Sequence, residues 1–371
     1  INAFTSMRGR VDDEQSVQAN FILSSKALLR NVSQQASLMH DTLYSARFDE
    51  TTRLRELVNQ QRARREQSIT GNGHGLAMAA ACAGMSPLAH LNHELSGLAG
   101  IRKLRQLDDS LKDDGHLQAF CEQLQSIHRL VCRMPRERLV IAEPQEVERV
   151  ASLAAQAFSR ENGDAVDSLQ LAPVRERRGE FWLTNTQVNF CARAYPTVPV
   201  QHPDAAPLTV LGGVLRNGFL HRAIREQGGA YGGGASQDSG SASFRFYSYR
   251  DPRLGETLAD FDASVDWLLQ GGHEQRALEE AILGVIGSLD KPSSPAGEAK
   301  QHFHNRLFGR SHHQREVFRE RILAVSMADL LRVGETYLKP ELASTAVISN
   351  SSQLDATADL REQLGLSLEE L

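Results

Sequence analysis

Apolar positions switch between two periods along this chain. From Leu28 they recur at Leu29, Val32, Ala36, Met39 and Leu43, the 3.6-residue spacing of a helix with one buried face. A second helix is expected to begin at Asp49-Glu50, carry Leu54, Leu57 and Val58, and break at the glycines of Gly71 to Gly75. Each glycine costs a helix interior about 1 kcal/mol relative to alanine. A small-residue helix follows from Leu76 to Ala83. Ser86-Pro87 then supplies an N-cap and a proline at the first helical position. Leu117 to Val131 is again amphipathic. One short strand is expected within Ile1 to Val11 and another at Arg138-Leu139-Val140-Ile141-Ala142, before an Ala-rich helix that runs to about Ser159.

The stretch from 161 to about 179 is polar and aperiodic, and reads as a linker. Beyond it the period shortens to two. Phe181 to Tyr195 alternates like a strand, and so does Ser243 to Tyr249, with Phe244 and Phe246 set against Arg245, Tyr247 and Tyr249. Ala230 to Gln237 is a partner strand, turned by Asp238-Ser239-Gly240. Between these lies a helix from about Ala206 to Glu226. It is apolar nearly all round and carries Gly212, Gly213 and Gly218, as expected of a buried helix packed closely on a sheet. Helices are expected from Pro252 to about Leu338, then a strand over Ser344 to Ser349 and a C-terminal helix. Several helices with few strands, not strictly alternating, point to α+β, and no short internal repeat is visible.

Composition adds bounds. The 371 residues are 41% apolar and 23% charged, with net charge −5. That suits two globular units and gives no strongly basic face for nucleic acid. Cys82, Cys121, Cys132 and Cys191 form no CxxC pair and suit neither a zinc knuckle nor a disulfide framework. They read as reduced, mostly buried thiols of an intracellular protein. No run of about 18 apolar residues occurs. Ile1-Asn2-Ala3-Phe4 has no initiator Met and no signal-peptide pattern, and reads as a chain entered in mid-sequence.

The sharpest chemical feature is Arg225-Glu226-Gln227-Gly228-Gly229-Ala230-Tyr231-Gly232-Gly233-Gly234. A buried helix ends on two glycines and hands over to a glycine-rich strand. Arg225 offers a forked, permanently charged donor and Tyr231 a neutral hydroxyl. Beside a strand open to pairing, both suit the carbonyls of an extended peptide. The same residues also fit a C-capping glycine pair with a packed Tyr and a solvent Arg. A phosphate loop fits poorly, because the glycines follow a helix and no GxxxxGK[ST] is present. His90 and His93 share a helix face, but their order with Glu94 is neither His-Glu-x-x-His nor His-x-x-Glu-His. His302, His304, His312 and His313 have no third ligand at useful spacing. Arg53, Arg55, Arg62, Arg64 and Arg65, interleaved with Glu56 and Glu66, read as a solvated helix face before an anion patch. No GxSxG and no dinucleotide fingerprint occurs, so the motifs describe no self-sufficient catalytic centre.

Five segments resemble one family. Gly73-His74-Gly75-Leu76-Ala77 and Leu95-Ser96-Gly97-Leu98 resemble the associated domain of presequence-protease-like zinc metallopeptidases, a branch of the insulinase (pitrilysin) superfamily. Arg225 to Gly233, Ser248-Tyr249-Arg250-Asp251-Pro252 and Ala281 to Gly287 resemble its last domain. The resemblance covers nearly the whole chain in order. It implies four similar α+β domains, each a small, mostly antiparallel sheet covered by helices, arranged as two halves around a closed chamber. Residues 1–165 would then be a third domain entered after its first strands, and 180–371 the fourth. By the same resemblance Arg225 and Tyr231 are the catalytic donors to the scissile-region carbonyl. Gly228, Gly229, Ala230, Gly232 and Gly233 line the peptide. Zinc, its His-x-x-Glu-His ligands and the general-base Glu lie on the absent N-terminal half. This chain is expected to bind no metal and to be inactive alone, its partners being the peptide substrate and that half. A non-catalytic insulinase-fold subunit, binding peptide or serving assembly, is the other reading.

Overall fold

A computed structural model describes residues 1–159 and 169–371. The chain opens with an antiparallel pair, β1 (Asn2–Gly9) and β2 (Val17–Ser24). Helices α1 (Val32–Tyr44), α2 (Thr51–Cys82), α3 (Pro87–Ser96), α4 (Leu98–Ser110), α5 (Asp114–Arg133) and α6 (Val147–Ala157) follow. Then come β3 (Gly179–Leu183), β4 (Phe190–Pro196) and α7 (Ala205–Leu215), continued directly by a π-helix, Arg216–Gln227. β5 (Gly232–Asp238) and β6 (Ser243–Tyr249) form a hairpin. Five helices succeed it: α8 (Gly255–Leu269), α9 (Gln275–Leu289), α10 (Pro295–Leu307), α11 (His312–Leu323) and α12 (Met327–Tyr337). β7 (Ser344–Ser349), α13 (Ala358–Leu364) and β8 (Ser367–Glu370) complete the chain. The architecture is α+β, as the pattern indicates.

Among the described residues, β3 to β8 make one six-stranded sheet in the order β5-β6-β4-β7-β3-β8. Its two faces follow the period of two in each strand. Phe181, Cys191, Tyr195, Phe244, Phe246 and Val347 point to one face, where α7, the π-helix, α8 and α9 cover them. Trp182, Phe190, Ala192, Ala194, Ala346 and Ile348 point to the other. That second face is covered from the first part of the chain by Ile69, Leu76, Ala77, Ala80 and Ala81 of α2, with Leu98, Ala99 and Ile101 of α4. Burying Trp182 and Phe190 there, both at most 1% exposed, contributes about 2–3 kcal/mol each. The sheet therefore draws its two helical layers from opposite ends of the sequence.

Several local expectations are met. Ser86 accepts from Ala89 N with Pro87 at the first helical position. Gly212 lies so near β5 that a Cβ would stand 2.9 Å from Ala235 O. Phe181 to Tyr195 resolves into two strands rather than one. The four cysteines are unpaired, and Cys82, Cys121 and Cys191 are buried.

Three expectations are corrected. Gly71 to Gly75 do not end the helix: α2 continues to Cys82, with one non-helical residue, Asn72 (φ −129, ψ 25). Tertiary contact outweighs propensity there, because a Cβ at Gly73 would stand 2.5 Å from the Phe190 ring. Arg138 to Ala142 is not a strand. Among the described residues no neighbour pairs with it, and Leu139 and Ile141 stay exposed; a strand needs a ladder for its backbone groups. The C-terminal helix is followed by β8, which adds parallel to β3 at the sheet edge. The expected linker lies partly outside the described residues. Its described end is pinned: Arg175 donates to Met85 O (2.9 Å) and Thr197 O (2.8 Å), and Glu176 N to Gly84 O (2.9 Å).

Candidate functional site

The Arg225–Gly234 motif sits where the π-helix turns into β5. The helix closes on Arg225 O, which accepts from Gly228 N and from Gly229 N (3.1 Å). Ala230 N then donates to Ile224 O (3.1 Å) and Tyr231 N to Tyr249 O (3.0 Å). The two glycines have different causes. Gly229 adopts φ +80, a backbone state that a side chain disfavours by about 1–2 kcal/mol. Gly228 makes room for Arg253, whose Nη2 would collide with a Cβ there. That nitrogen donates to Ala223 O (3.2 Å) and Asp260 Oδ2 (2.8 Å). A carbonyl of the last helical turn and a carboxylate are thereby joined through one guanidinium.

Arg225 and Tyr231 flank this turn and both are exposed, Tyr231 at 68%. The Arg225 side chain makes no hydrogen bond or ion pair with any described residue, so its guanidinium faces solvent. β5 pairs with β6 on one side and, among the described residues, with no strand on the other. At Gly232 a Cβ would meet nothing within 4 Å. At Gly233 it would meet Ile224 at 2.9 Å, and at Gly234 the Arg216 stem and the Tyr247 hydroxyl at 3.3 Å. The arrangement is an open strand edge with two unengaged donors at its start.

The structure adds residues that the motif reading leaves out. Tyr249 lies edge-on to Tyr231, with centroids 5.5 Å apart and planes at 89°. His74 of α2 packs on Tyr249 (4.7 Å) and Tyr247 (5.6 Å), and burial lowers its pKa below the usual imidazole value. Two motifs far apart in sequence, Gly73-His74-Gly75 and Arg225 to Gly233, thus meet across β6. The signal that hints at it is the alternation that turns Tyr247 and Tyr249 away from Phe244 and Phe246. Behind them Asp251 is fully buried, accepting from Arg253 N (3.0 Å) and Thr257 Oγ1 (2.8 Å). Burial raises its pKa above the usual carboxylate value. Ser248-Tyr249-Arg250-Asp251-Pro252 is therefore the strand-to-helix brace of the site.

The other candidates disperse. Among the described residues no group of three or more His, Cys, Asp or Glu could hold a metal ion. His93 turns into the core, 2% exposed, with Nε2 3.6 Å from Glu180 Oε2. Burial pushes its pKa down to about 4. His304 stacks on Phe308 and His312 meets Glu316. On α2, Arg53 pairs with Glu56, Arg55 with Asp114 and Arg62 with Asp108, leaving a largely neutralised face. No helix among the described residues is long and apolar enough to cross a membrane.

Residues 1–107 match the family described as peptidase M16, subfamily C, associated, and residues 179–348 match that described as PreP C-terminal domain. The chain is 31% identical over 329 residues to the mitochondrial presequence protease of Yarrowia lipolytica, covering 87% of this chain and 32% of that protein. It is 30% identical over 355 residues to that of Danio rerio, covering 88% and 34%. The chain thus spans about a third of the length of the curated relatives it matches. Among solved structures, pitrilysin superimposes with a TM-score of 0.61 over 99% of this chain and 38% of its own, at 12% identity, a likeness of fold.

Proposed function

The chain belongs to the presequence-protease branch of peptidase family M16, and from that membership we propose that it is the substrate-facing part of a zinc endopeptidase that degrades short unstructured peptides. The observation that carries this reading is the pairing of two free donors, Arg225 and Tyr231, with the open edge of β5. An extended peptide adds to that edge through its backbone, with Gly232 and Gly233 keeping the approach free of side chains. Gly228, Gly229 and Ala230 set the turn that presents both donors.

Arg225 and the Tyr231 hydroxyl donate to the carbonyl oxygen next to the scissile bond. Negative charge grows on that oxygen as the carbon becomes tetrahedral, so a fixed donor there is worth about 3 kcal/mol. Zinc supplies Lewis-acid and water-activating chemistry in such enzymes. The described residues offer it no ligand set, so the metal and general base are assigned to the N-terminal half of the same protease, the partner of this chain. In this reading residues 1–165 are the third domain and 180–371 the fourth.

The test is Arg225→Ala and Tyr231→Phe in the intact protease. Each is expected to lower kcat about 100-fold without changing the unfolding temperature. Unchanged kinetics would leave a non-catalytic, peptide-binding or assembly subunit. Stoichiometric zinc, or peptide cleavage, from this chain alone would overturn the division of labour.

A further inference from the structure

The proposed chemistry uses the Tyr231 hydroxyl but leaves unexplained how so exposed a side chain is held. Among the described residues, the one ring that Tyr231 meets is Tyr249. Its backbone N–H also donates to Tyr249 O (3.0 Å). A side chain 68% exposed otherwise samples its rotamers freely, and ordering it on binding costs about 0.5–1.5 kcal/mol. Tyr249 is itself restrained on several sides. The His74 ring meets it at 4.7 Å and 63°, Phe190 at 5.9 Å, and the Arg250 guanidinium lies 5.5 Å from its centroid. Its hydroxyl donates to Gly71 O (3.4 Å), next to the irregular Asn72 of α2.

We infer that Tyr249 is a positioning residue for Tyr231, and that the Gly71–His74 segment of α2 holds Tyr249 in place. This rests on reading Tyr231 as a donor to the substrate carbonyl. Gly73 lets α2 approach Phe190, which brings His74 over Tyr249 and Tyr247. Burial keeps the His74 imidazole neutral at neutral pH, so it packs as a ring. The contact makes the Gly73-His74-Gly75 motif part of the active-site support although it touches no substrate.

The experiment is a double-mutant cycle in the intact protease, which isolates action through Tyr231 from general damage. Tyr249→Leu is expected to lower kcat about tenfold with KM nearly unchanged, the scale of a donor held loosely. In a Tyr231→Phe background the same change is expected to cost less than about twofold, because the hydroxyl it positions is gone. Tyr249→Phe, which keeps the ring and loses the bond to Gly71 O, is expected to cost about twofold. If Tyr249→Leu does not fold, His74→Ala enters the same cycle with the same expected non-additivity. Equal losses in both backgrounds, or none from either variant, overturn the inference while the role of Tyr231 stands. If Tyr231→Phe alone leaves kcat unchanged, the functional reading itself falls.

Discussion

The Arg253 guanidinium fills the space that a side chain at Gly228 would need, and from there it donates to both Ala223 O and Asp260. One missing Cβ thus ties the end of the π-helix to α8, and this contact shapes the turn between Arg225 and Tyr231. Gly228→Ala is expected to push Arg253 out, losing hydrogen bonds of a charged donor. The expected cost is about 2–3 kcal/mol, read as a lower denaturant midpoint at unchanged slope.

Gly229 is needed for its backbone rather than for space. Its φ is +80, and a Cβ there would meet nothing nearer than Pro252 Cγ at 3.6 Å. Gly229→Ala is expected to destabilise by about 1 kcal/mol, and Gly229→Asn by less, because Asn tolerates the left-handed region. Thermal unfolding of the two variants side by side checks the order; equal losses would contradict a conformational cause.

Gly232 has neither reason, since a Cβ there meets open space. Gly232→Ala is expected to leave stability within about 0.5 kcal/mol of the parent. In the intact protease it is expected to raise KM several-fold if peptide approaches this edge. A change in unfolding temperature with unaltered KM would remove Gly232 from the peptide path.

Gly73→Ala is expected to separate α2 from the sheet, because the added carbon falls 2.5 Å from the Phe190 ring. Overpacking of this kind costs about 1–3 kcal/mol. Near-ultraviolet circular dichroism, which reports the environments of Tyr249 and Trp182, should weaken along with stability.

His93 makes folding sensitive to acid. Its pKa is pushed down to about 4 by burial, against about 6.5 in the unfolded chain. Above pH 6.5 both states are neutral and stability is unaffected. As pH falls from 6.5 toward 4 the unfolded state takes up the proton first and stability drops, by about 3 kcal/mol in all. Glu180, raised by burial, acts in the opposite sense near its own range. The clean measurement is therefore the difference between the parent and His93→Gln in urea midpoints from pH 7 to 4, which should narrow as pH falls. A constant difference would show that His93 does not titrate as described.

Local signals carried far into this fold where one residue decides its own geometry. Ser86-Pro87 starts α3 because a hydroxyl and a fixed φ act within one turn. Phe244 and Phe246 face the core, opposite Arg245, Tyr247 and Tyr249, because a strand alternates by construction. Gly212 announced close packing, and β5 lies against it. The same reasoning failed where a partner decides. Gly71 to Gly75 carry the propensity of a break, yet Phe190 holds the helix together from another part of the chain. Leu139 to Ile141 look like a strand and find no neighbour.

The sequence by itself determined the α+β class, the apolar face of most elements, and Arg225 and Tyr231 as donors at the mouth of a glycine-rich strand. Periodicity and backbone propensity are properties of short segments, and a motif is read in one line. Tertiary structure decided that β5 is an edge, that helices from the first part of the chain cover the second face of the sheet, and that His74 and Tyr249 stand beneath Tyr231. Those are meetings of segments up to 178 residues apart. A pattern of apolar positions says that a face will be covered without saying by what.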